Sequence, residues 1–184
     1  MHDRFLARSL RRAAMLAPIG VAAFGATASA ATLPPRRPGF WQTTITMDMT
    51  LNGKSIPKGA PTVTVMCTNA AIDAIETKKL AGSLGACAHP TIKGSGKTYT
   101  MTSSCADPMG GTGTMTVHTV YTVVSHTAFH MESVTKSPHM SGHIVSNSKW
   151  LGACPAGVVP GDIGHMMNGK FVKLTNVKGA AKAP

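Results

Sequence analysis

Gly39-Phe40-Trp41-Gln42-Thr43-Thr44-Ile45-Thr46-Met47-Asp48-Met49-Thr50-Leu51 alternates without a break. In an extended chain Trp41, Thr43, Ile45, Met47, Met49 and Leu51 fall on one face, and Gln42, Thr44, Thr46, Asp48 and Thr50 on the other. A period of two over this length specifies a half-buried strand. Asn52-Gly53 turns the chain, and Pro57, Gly59 and Pro61 hold the next residues in a loop. Alternation resumes over Thr62–Cys67, with Val63, Val65 and Cys67 on one side. Upstream, Leu33–Pro38 contains Pro34, Pro35, Arg36 and Arg37, so residues 31–38 read as an extended leader.

Downstream, Asn69 is a helix N-cap. The apolar Ile72, Ile75 and Leu80 approximate helical spacing, with Asp73 and Glu76 early and Lys78 and Lys79 late, the charge order a helix dipole favours. Cys87–Lys93 and Lys97–Cys105 read as a hairpin around Gly94-Ser95-Gly96. Gly113–Val124 and Ala128–Lys136 read as a second antiparallel pair, in which a three-residue loop sets Val123 against Phe129 and Tyr121 against Met131. Ser137-Pro138 leads into a last strand from His139 to about Ser148. The expected fold is mainly β: a curved antiparallel sheet closing towards a barrel or sandwich, with one short helix near residues 69–80. Residues 39–154 form the β domain. Residues 155–184, rich in Gly, Pro and Lys, read as a tail in which Lys170–Val177 could add an edge strand.

The cysteines are Cys67, Cys87, Cys105 and Cys154. No two lie close enough for the C-x₂₋₄-C knuckles of structural zinc sites, and no C-x-x-C redox pair occurs. Disulfides remain. A three-residue loop over Ser95–Lys97 pairs Gly94 with Thr98, and the same register sets Cys87 opposite Cys105. Cys67 is then left to meet Cys154, and both bridges read as structural.

Paired cysteines agree with the first 30 residues. Arg4, Arg8, Arg11 and Arg12 precede an apolar stretch from Ala13 to about Ala26, and Ala28-Ser29-Ala30 supplies small residues for cleavage. That order reads as a signal peptide over residues 1–30, which predicts a periplasmic or secreted protein. The stretch is shorter than the roughly 20 residues that span a bilayer. No stable membrane insertion of the mature chain is expected, and no cysteine follows the cleavage point to carry a lipid.

The formal net charge is +11, or +8 without residues 1–30. The lysines are scattered from Lys54 to Lys182 and aromatic residues are few, so nucleic acid is not an expected partner.

The order of landmarks resembles the bacterial exported family catalogued as domain of unknown function 3617. The resemblance rests on Pro38-Gly39-Phe40-Trp41 after an export signal, Cys67 followed by a short helix, the middle cysteines Cys87 and Cys105, and the ending Gly152-Ala153-Cys154. It spans about residues 36–154. It implies an exported β domain with no established activity, and it supplies no catalytic residues.

The residues themselves suggest no enzyme. Gly96-Lys97-Thr98 lacks the earlier glycine of a phosphate-binding loop, because Thr91 stands at that position. No G-x-S-x-G elbow occurs, and the acids form no evident acid/base pair. No cofactor is expected. The leading expectation is a noncatalytic binding or envelope-associated domain. Its apolar sheet face, lined by Trp41, Ile45, Met47, Tyr121, Phe129 and Met131, would take a small apolar ligand or a cell-envelope component. One alternative is copper binding by recurring His and Met residues: His130, His139, Met140, His143, His165 and Met166. Against it, neighbouring strand residues such as His130 and Met131 point to opposite faces. An uncharacterised enzyme is the remaining alternative.

Overall fold

The fold is built around the strand that opens the sequence reading. In a computed structural model, which describes residues 31–82, 87, 91–107 and 113–180, Gly39–Leu51 forms β1. The export segment assigned to residues 1–30 lies outside the described residues. Lys54–Ile56 (β2) returns from β1 through the Asn52-Gly53 turn, and Thr62–Thr68 (β3) pairs with β1's other half. Asn69 caps the helix α1 (Ala70–Gly82) as its sequence promises, its Oδ1 accepting from the Ile72 N–H at 3.0 Å.

The remaining strands are β4 (Thr91–Ser95), β5 (Thr98–Ala106), β6 (Thr114–Ser125), β7 (Ala128–Lys136), β8 (Met140–Gly152), β9 (Asp162–Met167) and β10 (Lys170–Asn176). A short helix, α2 (Val177–Ala180), follows. All pairings are antiparallel, in the order β10-β9-β3-β1-β8-β7-β6-β5-β4, with β2 beside β1. The sheet is open, with β10 and β4 at its edges, and does not close into a barrel.

Register sorts the side chains. Trp41, Thr43, Ile45, Met47 and Met49 stand opposite Trp150, Ser148, Ser146, Ile144 and Gly142. Phe129 and Met131 in turn stand opposite Ser148 and Ser146, with Val123 and Tyr121 beyond them, as the β6–β7 pairing expected. These residues share one face, which α1 and the leader cover. The other face presents Thr44, Asp48, His118, His130, His143 and Asn147. One corner of it carries a small core in which Phe40, Val65 and Cys67 pack against Cys154, Val158 and Phe171. Phe40 and Phe171 meet edge to face at 6.0 Å.

The bridges are Cys67–Cys154 and Cys87–Cys105, the expected pairing. The hairpin register differs, however. Ser95 pairs with Thr98 and Gly94 with Tyr99, so the loop is the two residues Gly96-Lys97. Gly96 takes a φ of +64° at the first loop position, the conformation that lets a two-residue turn follow the strand twist. Cys87 still stands opposite Cys105, so the pairing shifts by one residue between Thr91 and Cys87.

Residues 155–184 supply β9, β10 and α2, so much of the stretch read as a tail belongs to the sheet. Gly164 is placed by close approach: a Cβ there would collide with the Val172 carbonyl oxygen and stand 2.8 Å from the Phe171 ring. Asp162, nearly buried, ties this unit together. It accepts from Asn176 Nδ2 at 2.8 Å, from the Lys173 ammonium at 2.6 Å and from the Val159 N–H at 3.2 Å. The Asn176 and Lys173 contacts hold its carboxyl below the usual carboxylate range. A depressed folded value means stability that is present above the unfolded pKa of about 3.9 and is lost as pH falls through the folded value. Asp162→Asn should therefore cost roughly 1–3 kcal/mol near neutrality, and the gap from wild type should shrink in acid. Urea unfolding of both proteins near pH 6 and near pH 2.5 checks this; a gap independent of pH contradicts it.

Candidate functional site

On the covered face lies a cleft of about 350 Å³. Strand alternation builds its floor. Thr43 of β1, Ser146 and Ser148 of β8, Phe129 and Met131 of β7 and Tyr121 of β6 all project inward, each two residues from its neighbour on the same strand or directly across from it. The roof comes from two other segments: Leu33, Pro34 and Arg36 of the leader, and Asp73, Glu76 and Thr77 of α1. Asp73, Glu76 and Thr77 share a helix face because they stand three and four residues apart.

The roof is fastened at several points. Asp73 receives the Arg36 backbone N–H at 2.9 Å and pairs with the Arg36 guanidinium, both side chains largely buried. The Trp41 indole donates to the Arg37 carbonyl at 2.8 Å, and the Trp150 indole to the Pro38 carbonyl at 3.1 Å. The Arg37 guanidinium lies 3.8 Å above the Trp150 ring, a cation–π contact. Beyond α1, the chain is tied back to β5 by Cys87–Cys105.

The floor is mixed in chemistry. Tyr121 stacks on Phe129 at 5.4 Å and Trp41 lies against Phe129 at 5.2 Å, giving an aromatic end. Beside it runs a rung of hydroxyls, Thr43 Oγ1 to Ser148 Oγ at 2.9 Å, with a second, fully buried rung from Thr119 to Ser133 at 3.0 Å. Burial pushes the Tyr121 phenol well above its ordinary pKa. The Arg36 charge opposes that shift and the Asp73 charge adds to it, so the hydroxyl stays protonated and can both donate and accept.

The six residues expected to line a ligand face share the covered side but divide their roles. Tyr121, Phe129 and Met131 line the cleft. Ile45 and Met47 line a smaller apolar hollow of about 250 Å³, shared with Met49, Ile56 and Pro57. Trp41 is only 1% exposed and acts as core beneath Phe129. Sequence reasoning missed the inward hydroxyls Thr43, Ser146 and Ser148 and the roof residues Arg36, Asp73 and Glu76. Their signals were the β1 and β8 alternation itself and the three-residue spacing of the two acids on α1.

The proposed soft-metal residues are spread apart. His130 and His143 are on the open face. His130 Nδ1 lies 2.8 Å from Asn147 Oδ1, and its Nε2 3.3 Å from Glu132. Met131 and Met140 project to the covered face, and His139 sits in the turn before β8. His165 donates from Nδ1 to the Val63 carbonyl at 2.7 Å, while Met166 points to the opposite side, across from Phe171. Among the described residues, no group of three or more His, Cys, Asp or Glu side chains is placed to hold a metal ion.

Comparison with known proteins places one finding beside this geometry. The family model described as "Protein of unknown function (DUF3617)" matches residues 36–154, from the arginine that fastens the leader to the cysteine that closes the longer bridge. No curated protein and no solved structure matches the chain.

Proposed function

The chain belongs to the DUF3617 family, and we propose that it works as a noncatalytic binding domain outside the cytoplasm, holding a small, largely apolar ligand between its sheet and its leader. The cleft carries this reading. Its aromatic and thioether floor offers dispersion contact and its hydroxyls offer orientation, the mixture typical of small-molecule sites. The roof also favours it, because an ion pair, two indole hydrogen bonds and a disulfide-tied crossover hold the walls in place before any ligand arrives. Preformed walls lower the ordering cost of binding.

Two bridged cysteine pairs support action in an oxidising compartment, in line with the export order of residues 1–30. Among the described residues no helix is long and apolar enough to cross a membrane.

The test uses a neutral apolar fluorophore, N-phenyl-1-naphthylamine, titrated into the protein. We expect a saturable rise in fluorescence, weakened at least tenfold in Ser146→Leu, whose larger side chain fills the floor of the cleft. Equal binding by the filled variant, or no saturable binding by wild type, overturns the reading.

A further inference from the structure

We propose, building on that reading, that the ligand is a small organic cation, an aliphatic ammonium with its apolar body laid on Phe129 and Met131 and its charged head towards Glu76. The cleft carries two carboxylates and one guanidinium, and is bordered by His130, whose ring is bonded to Asn147 and Glu132. Arg36 is consumed by Asp73, through both its backbone N–H and its guanidinium. Glu76 is left. Among the described residues no cation pairs with it and no donor bonds it.

A second observation points the same way. Ser146 is only 7% exposed, lines the cleft, and makes no side-chain hydrogen bond with any described residue. Among the described residues its hydroxyl is not one of the fully buried atoms that lack a bond, so it keeps open surface towards the cleft, where an occupant can bond it. The Tyr121 hydroxyl, on a half-buried side chain that lines the same cleft, likewise bonds none of the described residues.

These groups select among ligands. Any occupant of the cleft removes water from Glu76, and a desolvated carboxylate without a charged donor is heavily penalised. A neutral ligand leaves that cost uncompensated and an anion adds repulsion to it. An ammonium offsets it, with three N–H donors matching a carboxylate and two hydroxyl oxygens. The stacked Tyr121 and Phe129 rings add a negative π-face for the same charge. A volume of about 350 Å³ is at the small end of ligand sites, so the cation is small.

The experiment compares hexylammonium, hexan-1-ol and hexanesulfonate, each titrated calorimetrically into the full chain and into Glu76→Gln. We expect hexylammonium to bind wild type at least tenfold more tightly than either other probe, and that advantage to vanish in Glu76→Gln, whose circular dichroism and melting should match wild type. Hexan-1-ol should bind Glu76→Gln at least as tightly as wild type, because an amide costs less to desolvate than a carboxylate. Equal binding of alcohol or sulfonate and ammonium to wild type, or an ammonium affinity unchanged by Glu76→Gln, overturns the cation assignment and leaves the binding-domain reading standing. No binding of any probe, together with no fluorophore binding, overturns both.

Discussion

Replacing Cys67 and Cys154 together by serine is expected to lower the unfolding free energy by about 4–5 kcal/mol, against about 3 kcal/mol for the same change at Cys87 and Cys105. The difference follows from loop length. The first bridge closes 87 residues of chain and the second 18, so the first removes more freedom from the unfolded ensemble. Packing adds to the inequality. Cys67 has no exposed surface and sits against Phe40 and Val65, with Cys154 and Phe171 closing the cluster. Serine there sets a hydroxyl among apolar side chains. Cys87 is only partly buried, with Cys105 alone of the shorter pair in the core. Guanidinium unfolding of the two double variants under oxidising conditions gives both values. A larger loss at the shorter bridge would show that native packing around Cys105, and not chain entropy, governs these cross-links.

The longer bridge, between partners 87 residues apart, followed by elimination once the shorter was assigned, and the shorter was legible because pairing across a hairpin is local. The alternation of β1, the Val123–Phe129 register and the Asn69 cap were legible for the same reason: each depends on residues a few positions apart. The reading of β4–β5 slipped by one residue because either a two- or a three-residue loop accommodates Gly94-Ser95-Gly96, and only the two-residue form uses the positive φ of Gly96. The edge strand offered over Lys170–Val177 forms as β10, whereas β9 was hidden by glycines that composition assigns to loops. Gly164 has no side chain because Phe171 and Val172 come too close, a reason visible only after β9 and β10 have paired. The candidate site divided along the same line. Its apolar floor could be listed from strand alternation, whereas its roof required knowing that α1 returns across the face carrying Phe129, and that Arg36 meets Asp73 across 37 residues of sequence. Asp73 and Glu76 fit a helix dipole as well as a cleft, so nothing local distinguished the two roles.

Trp41→Ala should cost about 3–5 kcal/mol, the range for removing a fully buried aromatic side chain. Trp41 is 1% exposed, lies 5.2 Å from Phe129, and through its indole N–H fixes the Arg37 carbonyl. It therefore joins the core to the leader, and truncation both opens a cavity under the cleft and frees one fastening of its roof. Trp41→Phe separates these roles. It keeps most of the apolar contact but lacks the donor, so the stability cost should fall to roughly 1–2 kcal/mol, the scale of one lost buried hydrogen bond plus a small void. The leader should still loosen in Trp41→Phe, since only the Trp150 indole, the Arg37 cation–π contact and the Arg36–Asp73 pair would remain to hold it. Limited trypsin digestion reads this directly, because cleavage after Arg36 requires the leader to lift from the sheet under native conditions. Cleavage in Trp41→Phe faster than this loss of global stability accounts for is the expected result. If cleavage instead accelerates only in proportion to global destabilisation, the indole hydrogen bond does not hold the leader, and the cleft owes its roof to Asp73 and Trp150.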